Sequence, residues 1–234
     1  MRVILLLICA ATCHAQFVGM SKHRKVASGG GGGKVLINHT FAQASGTVTT
    51  SAINCTGANL IVMPVSDYGA VVSSETPTSS PANTWIALGN SQNGVDNVAI
   101  FYAKNANVSS SMTFTLNGNF PMIMPMCFSN ADISAPFDQQ AQSGVVSGTT
   151  CQAGSVTPGV NGEVIVAAFA TSQTSLGTVT INSGLTKEDT SPFIGGTAIG
   201  GGDGYLVQSV AGAVNPQWSV STESGYTCTV ATFK

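Results

Sequence analysis

The chain has 234 residues and a formal net charge of −2; only 8% of its side chains are charged, against roughly 25% in an ordinary soluble domain, while 43% are hydrophobic. That balance excludes an intrinsically disordered chain, which needs low hydrophobicity and high charge. It also excludes a coiled coil or helical bundle, which needs Ala, Glu, Lys and Leu in quantity.

The few charges are unevenly placed. All three His (His14, His23, His39) and both Arg (Arg2, Arg24) lie within the first 39 residues. From Ser45 onward, Lys104, Lys187 and Lys234 face all ten acids, a net of −7. That stretch alone cannot supply a Ser-His-Asp triad, a His-based zinc site or an arginine phosphate clamp.

In chain order, Met1–Ala15 reads as a secretory signal: Arg2 is the positive end, Val3–Ala11 the short apolar core, and Cys13 and Ala15 the small residues before a cut ahead of Gln16. Nine apolar residues are too few to span a bilayer. Lipidation at Cys13 is the alternative, but Ala10-Ala11-Thr12 lacks the usual Leu and small residue. Residues 16–34 form a basic arm and linker. The stretch Gln16–Ala44 carries Lys22, Arg24, Lys25 and Lys34 and no acid, and Ser28–Gly33 reads as a flexible tether. We read the arm as a solvated leader, with an anchor to an anionic surface as the sharper alternative.

Residues 35–234 are predicted to be a single all-β domain, an antiparallel sandwich of jelly-roll type. No window shows a 3.6-residue period, and short β-branched and aromatic runs recur between turn residues. Good examples, among roughly eleven to thirteen such strands, are Asn59–Val65, Val98–Ala103, Met112–Leu116, Met122–Phe128, Glu163–Phe169, Thr178–Ile181, Tyr205–Val210, Trp218–Val220 and Tyr226–Phe233. In Met112-Thr113-Phe114-Thr115-Leu116 one face is apolar and the other bears hydroxyls. Pro125 predicts an edge or bulged strand.

An internal repeat runs through these strands. Leu60-Ile61-Val62 matches Val164-Ile165-Val166 at an offset of 104, as Phe114-Thr115-Leu116 matches Trp218-Ser219-Val220, and Phe128 meets Phe233 at 105. Two halves, near 55–135 and 155–234, are expected to share one core. After signal removal, Cys55, Cys127, Cys151 and Cys228 remain, an even number that favours two disulfides in an exported chain. Three pairings exist. The preferred one is Cys127–Cys151 with Cys55–Cys228, while zinc is disfavoured because no two of these Cys stand two to four residues apart.

Asn83-Thr84-Trp85, Phe101-Tyr102, Thr113-Phe114-Thr115, Phe120-Pro121, Phe128-Ser129, Pro136-Phe137-Asp138, Asn182-Ser183-Gly184 and the ending from Gly204-Tyr205-Leu206 through Asn215-Pro216-Gln217-Trp218 to Ala231-Thr232-Phe233-Lys234 resemble a group of uncharacterised bacterial and phage β-sandwich proteins. The resemblance covers about 46–234. It implies a surface or virion-associated role, as in tail fibres and exported proteins, and brings no catalytic residues with it.

Carboxylates are the strongest acid–base candidates: Asp132 and Asp138 in one loop, Asp96 after Asn93-Gly94, and Asp203 within a Gly-rich run. Asp in such loops is more often a turn former than a catalyst. Asp132, Asp138 and Asn130 supply the oxygen donors a calcium ion wants. Trp85 and Trp218 are candidates for stacking on a sugar ring, against the alternative that both plug the core. The Gly-rich segments lack a P-loop Lys, and the acidic body disfavours nucleic acid.

The expectation is therefore an exported, non-catalytic surface or structural protein acting by adhesion, assembly or glycan binding. It would be secreted, cell-surface or virion-associated, homo-oligomeric or part of an assembly, and without an integral membrane segment. A carboxylate-based glycan-degrading enzyme is the alternative.

Overall fold

The computed structural model describes residues 33–69 and 71–234, apart from the side chains of residues 145, 146, 223 and 224. The predicted signal peptide and nearly all of the basic arm lie outside the described residues. Within them the chain is antiparallel β throughout, with one short 3-10 turn at Val72–Ser74 and no α-helix.

The first half holds β1 (Val35–His39), β2 (Ala42–Gln43), β3 (Thr47–Thr49), β4 (Leu60–Tyr68), β5 (Thr78–Ser80), β6 (Ile86–Ala87), β7 (Ser91–Asn93), β8 (Asp96–Lys104), β9 (Thr113–Asn117), β10 (Met122–Ile123) and β11 (Met126–Ser129). The second holds β12 (Phe137–Gln152), β13 (Glu163–Thr171), β14 (Val179–Ile181), β15 (Thr186–Ser191), β16 (Gly200–Gln208) and β17 (Gln217–Phe233).

The repeat is visible in the strand order. The main sheet of the first half runs β1-β11-β4-β8, with β6 and β7 on the far side of β8. That of the second half runs β12-β17-β13-β16-β15. The first half adds a three-stranded sheet, β3-β9-β5. Its counterpart is the far end of β12 and the start of β17, with β14 paired to Val220, Ser219 and Trp218. What is two strands in the first half, β9 and β11, is one long strand, β17, in the second. Pro125 interrupts β10 and β11 but not at a sheet edge, since β11 lies between β1 and β4.

Three cores follow from the alternation of side chains along the central strands. Ile61, Met63, Val65 and Phe101 pack against Val48, Phe114 and Leu116 of the small sheet. Ile165, Ala167 and Phe169 pack against Val179, Trp218 and Val220. The intervening residues Leu60, Val62, Ile100, Tyr102 and Phe128 meet Val164, Val166, Ala231 and Phe233 across the junction of the halves. The expectation of one shared core is corrected: each half has its own, and a third joins them. Central strands buried on both faces read as continuous apolar runs, which is why they were conspicuous in the sequence.

The predicted disulfide pairing is corrected too. Cys55 bonds Cys127, and Cys151 bonds Cys228, with Cα–Cα distances of 5.7 and 6.2 Å. Cys55 and Cys127 both face the first core, and Cys151 and Cys228 both face the second. A Cys127–Cys151 bond would have to cross the junction layer between the two cores.

The run Gly200–Gly204 is a strand, not a ligand loop. A Cβ on Gly201 would lie 2.6 Å from the Phe169 carbonyl oxygen and 2.9 Å from Ser66 Oγ across the junction. On Gly204 it would lie 2.7 Å from the Thr186 carbonyl oxygen. Glycine at these positions lets β15 and the first half close on β16.

Each disulfide closes a long loop, of sequence separation 72 and 77. Replacing Cys151 and Cys228 together by Ala is expected to lower the unfolding free energy by about 4 kcal/mol on the chain-entropy model, read by urea denaturation. Non-reducing peptide mapping should recover Cys55 linked to Cys127, and recovery of a Cys127–Cys151 peptide would contradict the fold.

Candidate functional site

The predicted calcium ligands are each engaged elsewhere. Asp132 Oδ1 accepts the backbone N–H of Ser134 and Ala135 and the Ser134 hydroxyl, which closes an Asx turn. These N–H donors hold its carboxyl below the ordinary value. Asp138 pairs with Lys234 at 2.8 Å and accepts the Gly159 N–H at 2.8 Å, so its carboxyl is likewise lowered, chiefly by Lys234. Asn130 Nδ2 donates to the Gly33 carbonyl. Asp138 opens β12 rather than lying in the predicted loop. Among the described residues, no group of three or more His, Cys, Asp or Glu is arranged to hold a metal ion.

Trp218 is 2% exposed, with its ring 4.9 Å from that of Phe169, so protein covers the indole. Trp85 is half-buried against the first core and sits edge-to-face on Phe114. Both indole N–H groups are closed from solvent without a hydrogen-bond partner among the described residues.

Four carboxyls sit at the margins of the junction and the first core with little cationic company. Asp67, fully buried at the end of β4, accepts the N–H of Tyr68, Asn119 and Phe120. Glu75 lies beside it with both oxygens shut off from water, and burial together with Asp67 pushes its carboxyl up to about 9. Burial raises Asp96 to about 6, the Ser172 bonds opposing it. It raises fully buried Asp203 well above the ordinary value, with Asp189 and Glu188 adding to the effect. The Asp67–Glu75 pair escaped the sequence reading because its partners converge from β4, the 3-10 turn and the loop after β9.

His39 also escaped, having been read only as one of the charges ahead of Ser45. It ends β1 and reaches Glu188 and Asp189 of β15, each 3.0 Å away. Beneath them, Asp203 Oδ1 accepts the Asp189 N–H.

The outward face of each small sheet is an uncharged array. On β3-β9-β5, Thr47 stands opposite Asn117, Thr49 opposite Thr115 and Thr115 opposite Thr78, and Thr113 opposite Ser80. The hydroxyls of Thr49 and Thr115 bond at 2.9 Å, and Thr47 Oγ1 donates to Asn117 Oδ1 at 3.1 Å. On the second half, Thr150, Ser219 and Thr180 form the matching row, flanked by Gln152 and Gln217. Strand geometry spaces such groups about 4.8 Å across and about 6.7 Å along the strands. The sequence showed this alternation on β9 but not that its neighbours continue it.

Fold and surface together define an all-β protein of two disulfide-closed sandwiches packed face to face. No protein-family model, curated protein or solved structure matches the chain. No helix among the described residues is long and apolar enough to cross a membrane.

The raised carboxyls set the pH response. Glu75, Asp96 and Asp203 keep their protons to higher pH folded than unfolded, so the folded state binds more protons and stability falls as pH rises. The window opens at the ordinary carboxylate range and closes near 9 for Glu75. Asp132 and Asp138 act oppositely, and their contribution is lost as pH drops below the ordinary range. Calorimetry should find the highest thermal midpoint at about pH 4 to 5 and a steady decline toward about 9. The variant Glu75→Gln should flatten the upper part of that decline.

Proposed function

We propose that the protein is an exported, non-catalytic surface protein that acts by adhesion, through the uncharged hydroxyl faces of its two small sheets, to a neutral glycan surface. The observation that carries this reading is the pair of matching arrays, Thr49–Thr115–Thr78 and Thr150–Ser219–Thr180, presented on the outer layer of each half. A flat face without charge, its hydroxyls in strand register, suits a partner that is itself flat, neutral and rich in hydroxyls. Two such faces on one chain let it engage one surface twice or join two surfaces, with the gain in avidity that two linked sites bring. Two disulfides fit an oxidising, extracellular setting.

Sedimentation with insoluble cellulose and chitin, together with a neutral glycan array, tests this reading. The wild type should bind, and Thr49→Lys with Thr115→Lys, joined to Thr180→Lys with Ser219→Lys, should abolish binding without loss of the β-sheet circular dichroism signal. Absence of wild-type binding to every neutral glycan would sink the proposal.

A further inference from the structure

The junction of the halves is closed along two sides that the internal repeat makes equivalent, β1 against β15 and β12 against β7. On the β12 side the closing groups are neutral amides and hydroxyls. Gln140 exchanges two bonds with the Gly89 backbone, each 2.9 Å, and Gln142 donates to the Asn90 carbonyl at 3.0 Å. Ser91 and Thr227 add a hydroxyl contact of 2.5 Å. On the β1 side the corresponding position is ionic: His39 Nε2 faces Glu188 Oε2 and His39 Nδ1 faces Asp189 Oδ2, both at 3.0 Å.

We propose that His39 is a proton-operated latch that closes one side of the junction and leaves the other side, held by Gln140 and Gln142, as its hinge. An ionised carboxylate accepts hydrogen bonds and donates none, so both contacts form together only when both ring nitrogens carry hydrogen. Loss of one proton turns one contact into an acceptor facing an acceptor. The groups facing His39 are Glu188 and Asp189 from β15, with Asp203 and Tyr205 of β16 behind them. Buried Asp203 orders the Asp189 backbone, and its Oδ2 has no partner among the described residues. From β11, His39 is opposite Met126, which brings no charge, and Lys187 turns its ammonium to the Val179 carbonyl.

Local geometry aims the latch. Both strands are irregular at this point: register shifts occur between Leu36 and Asn38 on β1, and between Lys187 and Thr190 on β15, the gap that holds Glu188 and Asp189. Bulges re-aim side chains and loosen pairing, which suits an element that opens without unfolding the sheet. The ring keeps contact with solvent, with 32% of the side chain exposed, so protons reach it directly.

Amide hydrogen exchange on the full chain tests this, corrected for the intrinsic pH dependence of exchange. Between about pH 5.5 and about pH 8 the wild type should lose about tenfold protection in β1 and β15, the effect of one charge-assisted bond, with none lost around Gln140 and Gln142. The variant His39→Gln should show no such change at β1 and β15, while retaining the global decline set by the buried carboxyls. Should His39→Gln not fold, Glu188→Gln reads the same feature. An amide accepts from the ring N–H or donates to the bare nitrogen, so that contact survives either state and the response flattens. Equal wild-type protection at both pH values, or a response unchanged in the variants, overturns the latch.

Discussion

Everything in this molecule depends on the face-to-face packing of two equivalent sheets. Burying both faces of β4, β8 and β13 leaves no solvated side along the central strands, so their charges are confined to the strand ends, at Asp67, Asp96, Lys104 and Glu163. Aromatic rings fill the junction, with Tyr102 on Phe233 and Phe128 on Tyr205. At Gly201 the absence of a side chain leaves room for Ser66 from the other half. The low charge of the chain is thus a consequence of layering: four sheet layers enclose three cores, and only the outermost faces and the rims meet water.

That layering accounts for what the sequence made legible. Ile61 and Ile165, or Phe114 and Trp218, occupy equivalent core positions, so the repeat at an offset of 104 survives as hydrophobic pattern even where residue identity does not. Strand type and the hydroxyl face of β9 were readable from local alternation, and the presence of two disulfides from the even number of cysteines; the strand count was not, since the short strands β2, β5, β6, β7 and β10 carry too few residues to show a period. The long strand β12 was not, because its Gln, Ser and Gly residues carry no apolar period. The start of β16 was hidden by glycine, which serves packing there rather than turning.

Contacts between distant residues were beyond reach. His39 meets partners about 150 residues away, and nothing in the residues around it marks them. Likewise Asp67 and Glu75 look unremarkable in sequence. Their character comes from burial beside one another, which no spacing rule encodes. The pairing of cysteines failed for a related reason, since proximity to the ends of the chain says nothing about which core a side chain faces.

The placement of the disulfides has a mechanical consequence. A chain pulled from its two ends transmits force along its backbone, but each disulfide carries that force past the loop it closes. The segments between Cys55 and Cys127, and between Cys151 and Cys228, cannot be drawn out while the bonds are intact. Each withheld loop would otherwise add roughly 240 Å of extended chain. Under load, therefore, the two sandwiches can part at their junction or peel at their rims, yet each stays folded over its own bonded core. A chain built this way lengthens only by the segments that lie outside its two bonded loops.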